Sequence, residues 1–289
     1  MHNDSTRSWQ NTSEDSMLTH VVIPLSLKEY EQKLISMGRL LKYFGTKKAS
    51  LIHVRSSNKK DTEPQDLTER IRSYASHLRG LGFEVDMYFK QGHIASQILS
   101  MAMELEADFI SMFWESKRFL RKALLGNIDA DVIRMSDLPV FVYKHSFFLA
   151  KEQKMSQAMY ATNFRITDSH VMPYLTNPDF STQVLYILHV GDRAPDPQAE
   201  ALRKQQVQQN LGRLKAECEQ AFYRIETLDV VGHPGNKVVH MAKRYGVDLL
   251  IIGKCDEQSS FEQIMGSTAQ LIADKANCSI FIVPGAQRQ

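Results

Sequence analysis

The chain repeats itself, and that constrains its fold more than any other feature. Gly92-His93 returns as Gly232-His233, 140 positions later. At the same offset of 140, Met101-Ala102 answers Met241-Ala242, Asp108 answers Asp248, Gly126 answers Gly266 and Phe141 answers Phe281. Upstream, His53-Val54 match His189-Val190 at an offset of 136, a shift of only four residues. Identities held in register over this distance mark a duplication, so the chain is expected to hold two copies of one domain. At 289 residues it has room for two cores of ordinary size.

Each copy alternates between two hydrophobic periods. In the first, Val21 to Leu25 and Ala49 to Val54 are short apolar runs, with Leu34, Met37, Leu40, Leu41 and Phe44 at helical spacing between them. A second helical stripe (Leu67, Ile71, Tyr74, Leu78, Leu81) closes at Gly82 and leads to the run Phe83 to Tyr88. Ile94, Ile98, Met101 and Leu105 form the next helix, followed by the run Phe109 to Phe113, a last helix, and Pro139 to Tyr143. The second copy repeats the plan, with strands near Ala158–Thr162, Val184–Val190, Arg224–Leu228, Leu249–Gly253 and Ser279–Val283. Its clearest helix carries Val207, Leu211, Leu214, Cys218, Ala221 and Phe222 on one face. Strands buried on both faces and alternating with helices predict a parallel sheet covered on each side. Right-handed crossovers then give two tandem Rossmann-like, doubly wound α/β domains of five strands each. Their limits are expected at 18–146 and 155–285, joined through a polar stretch from Ser146 to Lys154. The two final strands are apolar and β-prone, and a bare edge of that kind invites pairing. They are expected to pair with each other, making the chain a pseudo-dimer.

Composition narrows the partners. An apolar fraction of 43% with 24% charged residues is that of a soluble globular protein, and a net charge of +2 argues for neither nucleic acid nor a membrane surface. No apolar run is long enough to span a bilayer. Met1 to Ser16 is polar, lacks an apolar core and reads as a disordered tail rather than a signal peptide. Cys218, Cys255 and Cys278 have neither disulfide parity nor metal-ligand spacing, which fits a reducing, cytoplasmic setting. Cys218 and Cys278 read as small core residues; nothing near Cys255 in sequence activates it.

In a sheet of this kind ligands bind beyond the carboxyl ends of the strands, where the strand order reverses. The fourth strand of the second copy ends in Gly253-Lys254-Cys255-Asp256, and nine residues on comes Gly266-Ser267-Thr268 at a helix start. A glycine at a strand end lets a ligand approach the backbone. A Gly-Ser-Thr helix start offers unpaired N–H groups, hydroxyls and the positive dipole end, which suit a phosphate. The same residues also serve as an ordinary helix cap. His53 and His189 read as half-buried strand residues, and His93 and His233 as loop formers. Lys117, Arg118, Arg121 and Lys122 read as a solvated face. No Ser-His-Asp set, carboxylate pair or metal-ligand spacing emerges, so no catalytic residue is assigned.

Through these glycines the chain resembles the universal stress protein family, whose ATP-binding members carry Gly-x-x-Gly, nine residues, then Gly-Ser or Gly-Thr. The resemblance extends to Gly232-His233-Pro234 and to the strand Leu249 to Gly253. It implies a stress-associated sensor or adaptor that binds ATP or another adenine nucleotide with Mg²⁺, hydrolysing it slowly at most. The implied site lies in the second domain: Gly253, Gly266, Ser267 and Thr268 at ribose and phosphates, Asn163 near the phosphates, and the backbone near Val190 and Asp229 at the base. The departures are specific. Asp256 replaces the second glycine, and its carboxylate would repel phosphate unless Mg²⁺ lay between or the side chain turned away. Asn163 replaces the aspartate that ends the first strand, keeping its shape without its charge. In the first copy the motif positions are Phe113, Ser116, Gly126 and Asn127, with Ser26 ending the first strand. Phe113 would fill the space that ribose or phosphate needs. The rival expectation is an interaction protein of the branch that does not bind ATP, with relic sites or sites adapted to a different small ligand.

Overall fold

The computed structural model describes residues 17–56, 65–114, 128–144, 155–180, 182–254 and 267–285. The first half runs β1 (His20–Pro24), α1 (Glu31–Tyr43), β2 (Lys48–Arg55), α2 (Gln65–Gly80), β3 (Glu84–Gln91), α3 (Ile94–Glu104), β4 (Phe109–Phe113), α4 (Ile128–Met135) and β5 (Val140–Tyr143). The second runs β6 (Gln157–Thr162), α5 (Thr167–Leu175), a 3₁₀ turn (Pro178–Phe180), β7 (Val184–Gly191), α6 (Pro197–Cys218), β8 (Arg224–Val231), α7 (Pro234–Arg244), β9 (Leu249–Lys254), α8 (Ser267–Lys275) and β10 (Ser279–Pro284).

All ten strands join one sheet in the order β3-β2-β1-β4-β5-β10-β9-β6-β7-β8. Within each half every pairing is parallel. The central strands are buried along nearly their whole length, whereas the outer strands β3 and β8 alternate exposed and covered residues. Apolar runs therefore occupy the middle, and charged residues such as Glu84, Asp86, Arg224 and Glu226 blunt the two open edges.

The halves meet as the sequence leads one to expect, through their final strands. β5 and β10 pair antiparallel, with Phe141 opposite Phe281, Val140 opposite Ile282 and Val142 opposite Ile280. Each residue thus faces the neighbourhood of its own duplicate, and a pseudo-twofold axis passes between Phe141 and Phe281. One helical layer (α1, α2, α5, α6) and its core run across both halves, as does the other (α3, α4, α7, α8). In the first layer an aromatic seam crosses the axis. Phe44 stacks on Phe180 with ring centres 4.8 Å apart and meets Phe141 edge-on at 5.7 Å. Phe180 and Tyr174 in turn pack on Phe281 at 5.0 and 5.1 Å.

Two buried lysines cross the same boundary. Lys144 donates to the carbonyls of Ala273 and Ala276 at the carboxyl end of α8, and Lys254 donates to those of Arg134 and Ser136 at the carboxyl end of α4. Each half therefore satisfies the helix-end carbonyls of the other, where a cation also complements the negative dipole end. The repeated aspartates have a matching explanation. Asp108 accepts the N–H of His20 at 2.8 Å, and Asp248 accepts those of Ser156 and Gln157 at 2.8 and 3.0 Å, tying the start of the first strand to the fourth in each half.

Cys218 and Cys278 are buried core residues, and burial pushes the Cys218 thiol up to about 12. Cys255 and the segments Met1 to Ser16 and Ser146 to Lys154 lie outside the described residues. Among the described residues no helix is long and apolar enough to cross a membrane.

Candidate functional site

In the second half the strand order reverses between β6 and β9, with β7 and β8 on one side and β10 on the other. The helices that follow β6 and β9 cover opposite faces, so a crevice opens beyond the carboxyl ends of these two strands.

Asn163 follows β6 directly and is exposed. Its Oδ1 accepts from the Arg165 N–H at 3.2 Å and from the Thr167 hydroxyl at 3.5 Å, so it shapes the turn into α5. That turn forces Phe164 into the left-handed region at φ 59, and its ring stacks on His189, centres 4.4 Å apart. His189 Nδ1–H donates to the Thr162 carbonyl at 3.2 Å, as His53 Nδ1–H does to Leu25 at 2.9 Å in the first half. The repeated histidines are thus structural ties between the first and second strands.

Gly253 sits at the end of β9, and its missing side chain makes room for protein. A Cβ there would lie 2.8 Å from the Cβ of Thr167, which is buried at the start of α5. The next residue, Asp168, turns its carboxylate inward, where it accepts from Thr162 at 2.8 Å and Tyr160 at 2.5 Å. Burial, with Asp168 alongside, pushes the Tyr160 hydroxyl strongly up. A carboxylate does therefore stand near the end of the first strand, five positions beyond Asn163, but it is spent on the core. The sequence signal was the pair Tyr160 and Thr162, two polar residues on one face of a buried strand.

The remaining expected residues divide. Val190 is buried on β7 opposite Val230. Asp229, opposite His189 on β8, is ion-paired with Arg203 of α6 at 3.0 Å. Arg203 also grips Glu200 at 2.9 Å and holds that carboxyl down at about 2. The Asp229 side chain thus fastens α6 to the sheet. Ser267 opens α8, and Thr268 is exposed in its first turn, its methyl 3.7 Å from where a side chain on Gly235 would begin. The amino ends of α7 and α8 therefore lie side by side, and their N–H groups point to the carboxyl edge of the sheet. Asp256 and Gly266 lie outside the described residues. Thr167 brings Asn163 and Gly253 together; Thr268 belongs with Gly235.

The first half is closed at the matching places. Phe113 packs edge-on against Tyr143 at 5.9 Å, and Leu27, at φ 61, is buried where the second half has Phe164. Ser26 donates its N–H and hydroxyl to Glu29 at 2.8 and 2.7 Å. Ser116, Gly126, Asn127 and the basic cluster Lys117, Arg118, Arg121 and Lys122 lie outside the described residues. His93 caps α3 by accepting from Ser96 N–H at 3.4 Å, a loop role, and His233 occupies the same place before α7. Among the described residues no group of three His, Cys, Asp or Glu side chains could hold a metal ion.

The sequence model of the universal stress protein family matches residues 46–144 and 180–284. A universal stress protein of Synechocystis, Slr1230, is 22% identical over 205 residues, covering 70% of this chain and 67% of that protein. Two universal stress proteins of Methanocaldococcus jannaschii, MJ0577 and MJ0531, are matched over 43% and 52% of their own lengths, at 29% and 25% identity and over 24% and 30% of this chain. Among solved structures, a universal stress protein of Archaeoglobus fulgidus superposes with a TM-score of 0.68 at 16% identity, over 92% of this chain and 96% of that one. A protein of unknown function from Pseudomonas aeruginosa, PA1789, superposes with a TM-score of 0.70 at 14% identity, over 92% of each chain. At these identities the superpositions show a shared fold.

Proposed function

The chain belongs to the universal stress protein family, and we propose on that premise that it is a stress-response protein whose second domain, 155–285, holds an adenine nucleotide and acts as a sensor or adaptor. The observation that carries this reading is the contrast between the two carboxyl edges. In the second half the amino ends of α7 and α8 lie together with Thr268 exposed, at the same carboxyl edge of the sheet as Asn163 and Gly253. Such paired helix starts favour an anion. In the first domain, 18–146, Phe113 against Tyr143 and the buried Leu27 close the matching space. When bound, the nucleotide would supply phosphate charge for the α8 start to hold. Asn163 would offer its amide, and the Phe164–His189 stack a flat apolar surface for a base. Nucleotide occupancy would then bias which partner the protein meets.

A second reading has its own support. Gly253 is already required by Thr167, so a ligand is not needed to explain it. On that reading the protein is an interaction module that binds no nucleotide. Calorimetric titration with ATP and Mg²⁺ separates the two. The first predicts one site per chain, with binding weakened tenfold or more in Gly266→Ala/Ser267→Ala, since a charge-assisted hydrogen bond is worth about 1.5–3 kcal/mol. Absence of heat, an unchanged affinity in the folded double variant, or two equivalent sites each contradict it.

A further inference from the structure

The duplication supplies an internal comparison, because each surface of one half has a counterpart in the other. On the α3/α4 side of the first half, at the amino-terminal edge of its strands, Leu99, Met103, Met135 and Leu138 border a cleft of about 350 Å³. Met103 is 62% exposed and Met135 45%, unusual for two methionines facing one opening. Asp137 lines the cleft itself, and Glu104 and Glu106, both exposed, follow Met103 in the chain. Glu106 is held in the left-handed region at φ 49, where the second half has Gly246 at φ 62. An acidic side chain is thus kept at a position whose backbone favours glycine.

At the matching positions of the second half the chemistry is inverted. Met103 corresponds to Lys243, Glu104 to Arg244, Met135 to Lys275 and Asp137 to Asn277, and all four of these counterparts are exposed. One end of the molecule therefore presents thioethers beside carboxylates, and the other presents three cations on long aliphatic stems. The antiparallel β5–β10 pairing points the amino-terminal edges of the two halves in opposite directions, so the two surfaces sit at opposite ends of the same helical layer.

We infer that these surfaces are the two sides of one contact, in which the acidic methionine cleft of one chain receives the basic α7/α8 end of a second copy. Lysine stems lie well along apolar, adaptable thioether surface while their ammonium groups reach acids at the rim. Among the described residues Glu104 pairs with Lys90, at 3.6 Å across the surface, and it can exchange that weak partner for a lysine of the second copy. Because the two surfaces point in opposite directions along the strands, one copy cannot offer both to the same partner, so the contact is head-to-tail and extends to further copies rather than closing as a twofold dimer. Its charged rim makes it sensitive to salt, since the screening length falls to about 3 Å near 1 M.

Sedimentation velocity on the full chain tests this. The wild type is expected to show an average mass that rises with concentration at low ionic strength and returns to monomer near 1 M salt. Met103→Lys/Met135→Lys gives the cleft the residues of the second half, and Lys243→Glu/Lys275→Glu reverses the basic end. All four positions are exposed, and circular dichroism and melting confirm that each variant is folded. Each variant alone should associate at least tenfold more weakly. Mixed together, one still offers a basic end and the other a cleft, so the mixture should regain association but stop at a 1:1 pair. A wild type that is monomeric throughout overturns the proposal, as does association indifferent to salt or to either variant, or a mixture that fails to pair. So does a cleft that crosslinks only to a different basic protein while the chain itself stays monomeric.

Discussion

A methyl group added at Gly253 would meet the buried backbone-proximal Cβ of Thr167 at 2.8 Å, an atom that no rotamer change can move aside. Gly253→Ala should therefore shift α5 and cost about 1–3 kcal/mol, the usual range for overpacking. A lower urea midpoint with an unchanged slope would verify this; an unaltered midpoint would mean that α5 yields without strain. Lys144 offers a test in pH. Burial lowers its ammonium from 10.5 to about 8. Between those values the unfolded chain holds a proton that the folded chain has lost, so stability rises as the pH climbs through the window and falls on return. Lys144→Met should lack that rise. The comparison is best made as a difference between the two proteins, because the Cys218 thiol, raised to about 12, titrates in the opposite sense and cancels.

Among the elements, those that the sequence made legible are those whose burial comes from the sheet itself. Buried central strands must be apolar on both faces, so β4 appears as the run Phe109 to Phe113 and β9 as Leu249 to Gly253, one residue short. Where the ladder outruns the apolar pattern, the reading stops early: β3 continues to Gln91 because its main chain still pairs with Arg55 of β2. Helix α5, only nine residues long with Pro173 inside it, and the 3₁₀ turn after it give little periodic signal, although Phe180 there is central to the aromatic seam. The site was legible as a set of glycines and polar ends. What fills the space beside Gly253 and what holds Asp229 were not, because Thr167 and Arg203 reach them only through tertiary packing. The strand pairing was legible and can be tested directly. β5 is paired on both sides, so Phe141→Pro removes a ladder donor and orphans a carbonyl, at a cost of at least about 1–3 kcal/mol. Small-angle scattering should show a larger radius of gyration than for the wild type; an unchanged radius would argue that the side-chain seam alone holds the halves together.

At the level of the whole molecule, both cores run on across the axis without a break. The chain should unfold in one calorimetric transition despite its two domains. Phe180→Ala removes the ring that stacks on Phe44 and packs on Phe281, with an expected loss of about 3–5 kcal/mol. It should also separate the transition into two; a single transition with only a lowered midpoint would place the coupling in the β5–β10 ladder instead.

The position of the axis also governs how such a molecule can change over generations. In a pair of identical chains every substitution arrives twice, once on each side, and a residue on the axis meets its own copy. Here Phe141 and Phe281 are written separately, and a mutation in one reaches the fold without its mirror image. Each half can then be tried with a change that two identical chains would have to accept together. Phe113 on one side can coexist with Gly253 on the other, and Met103 with Lys243, because no symmetry forces them to agree.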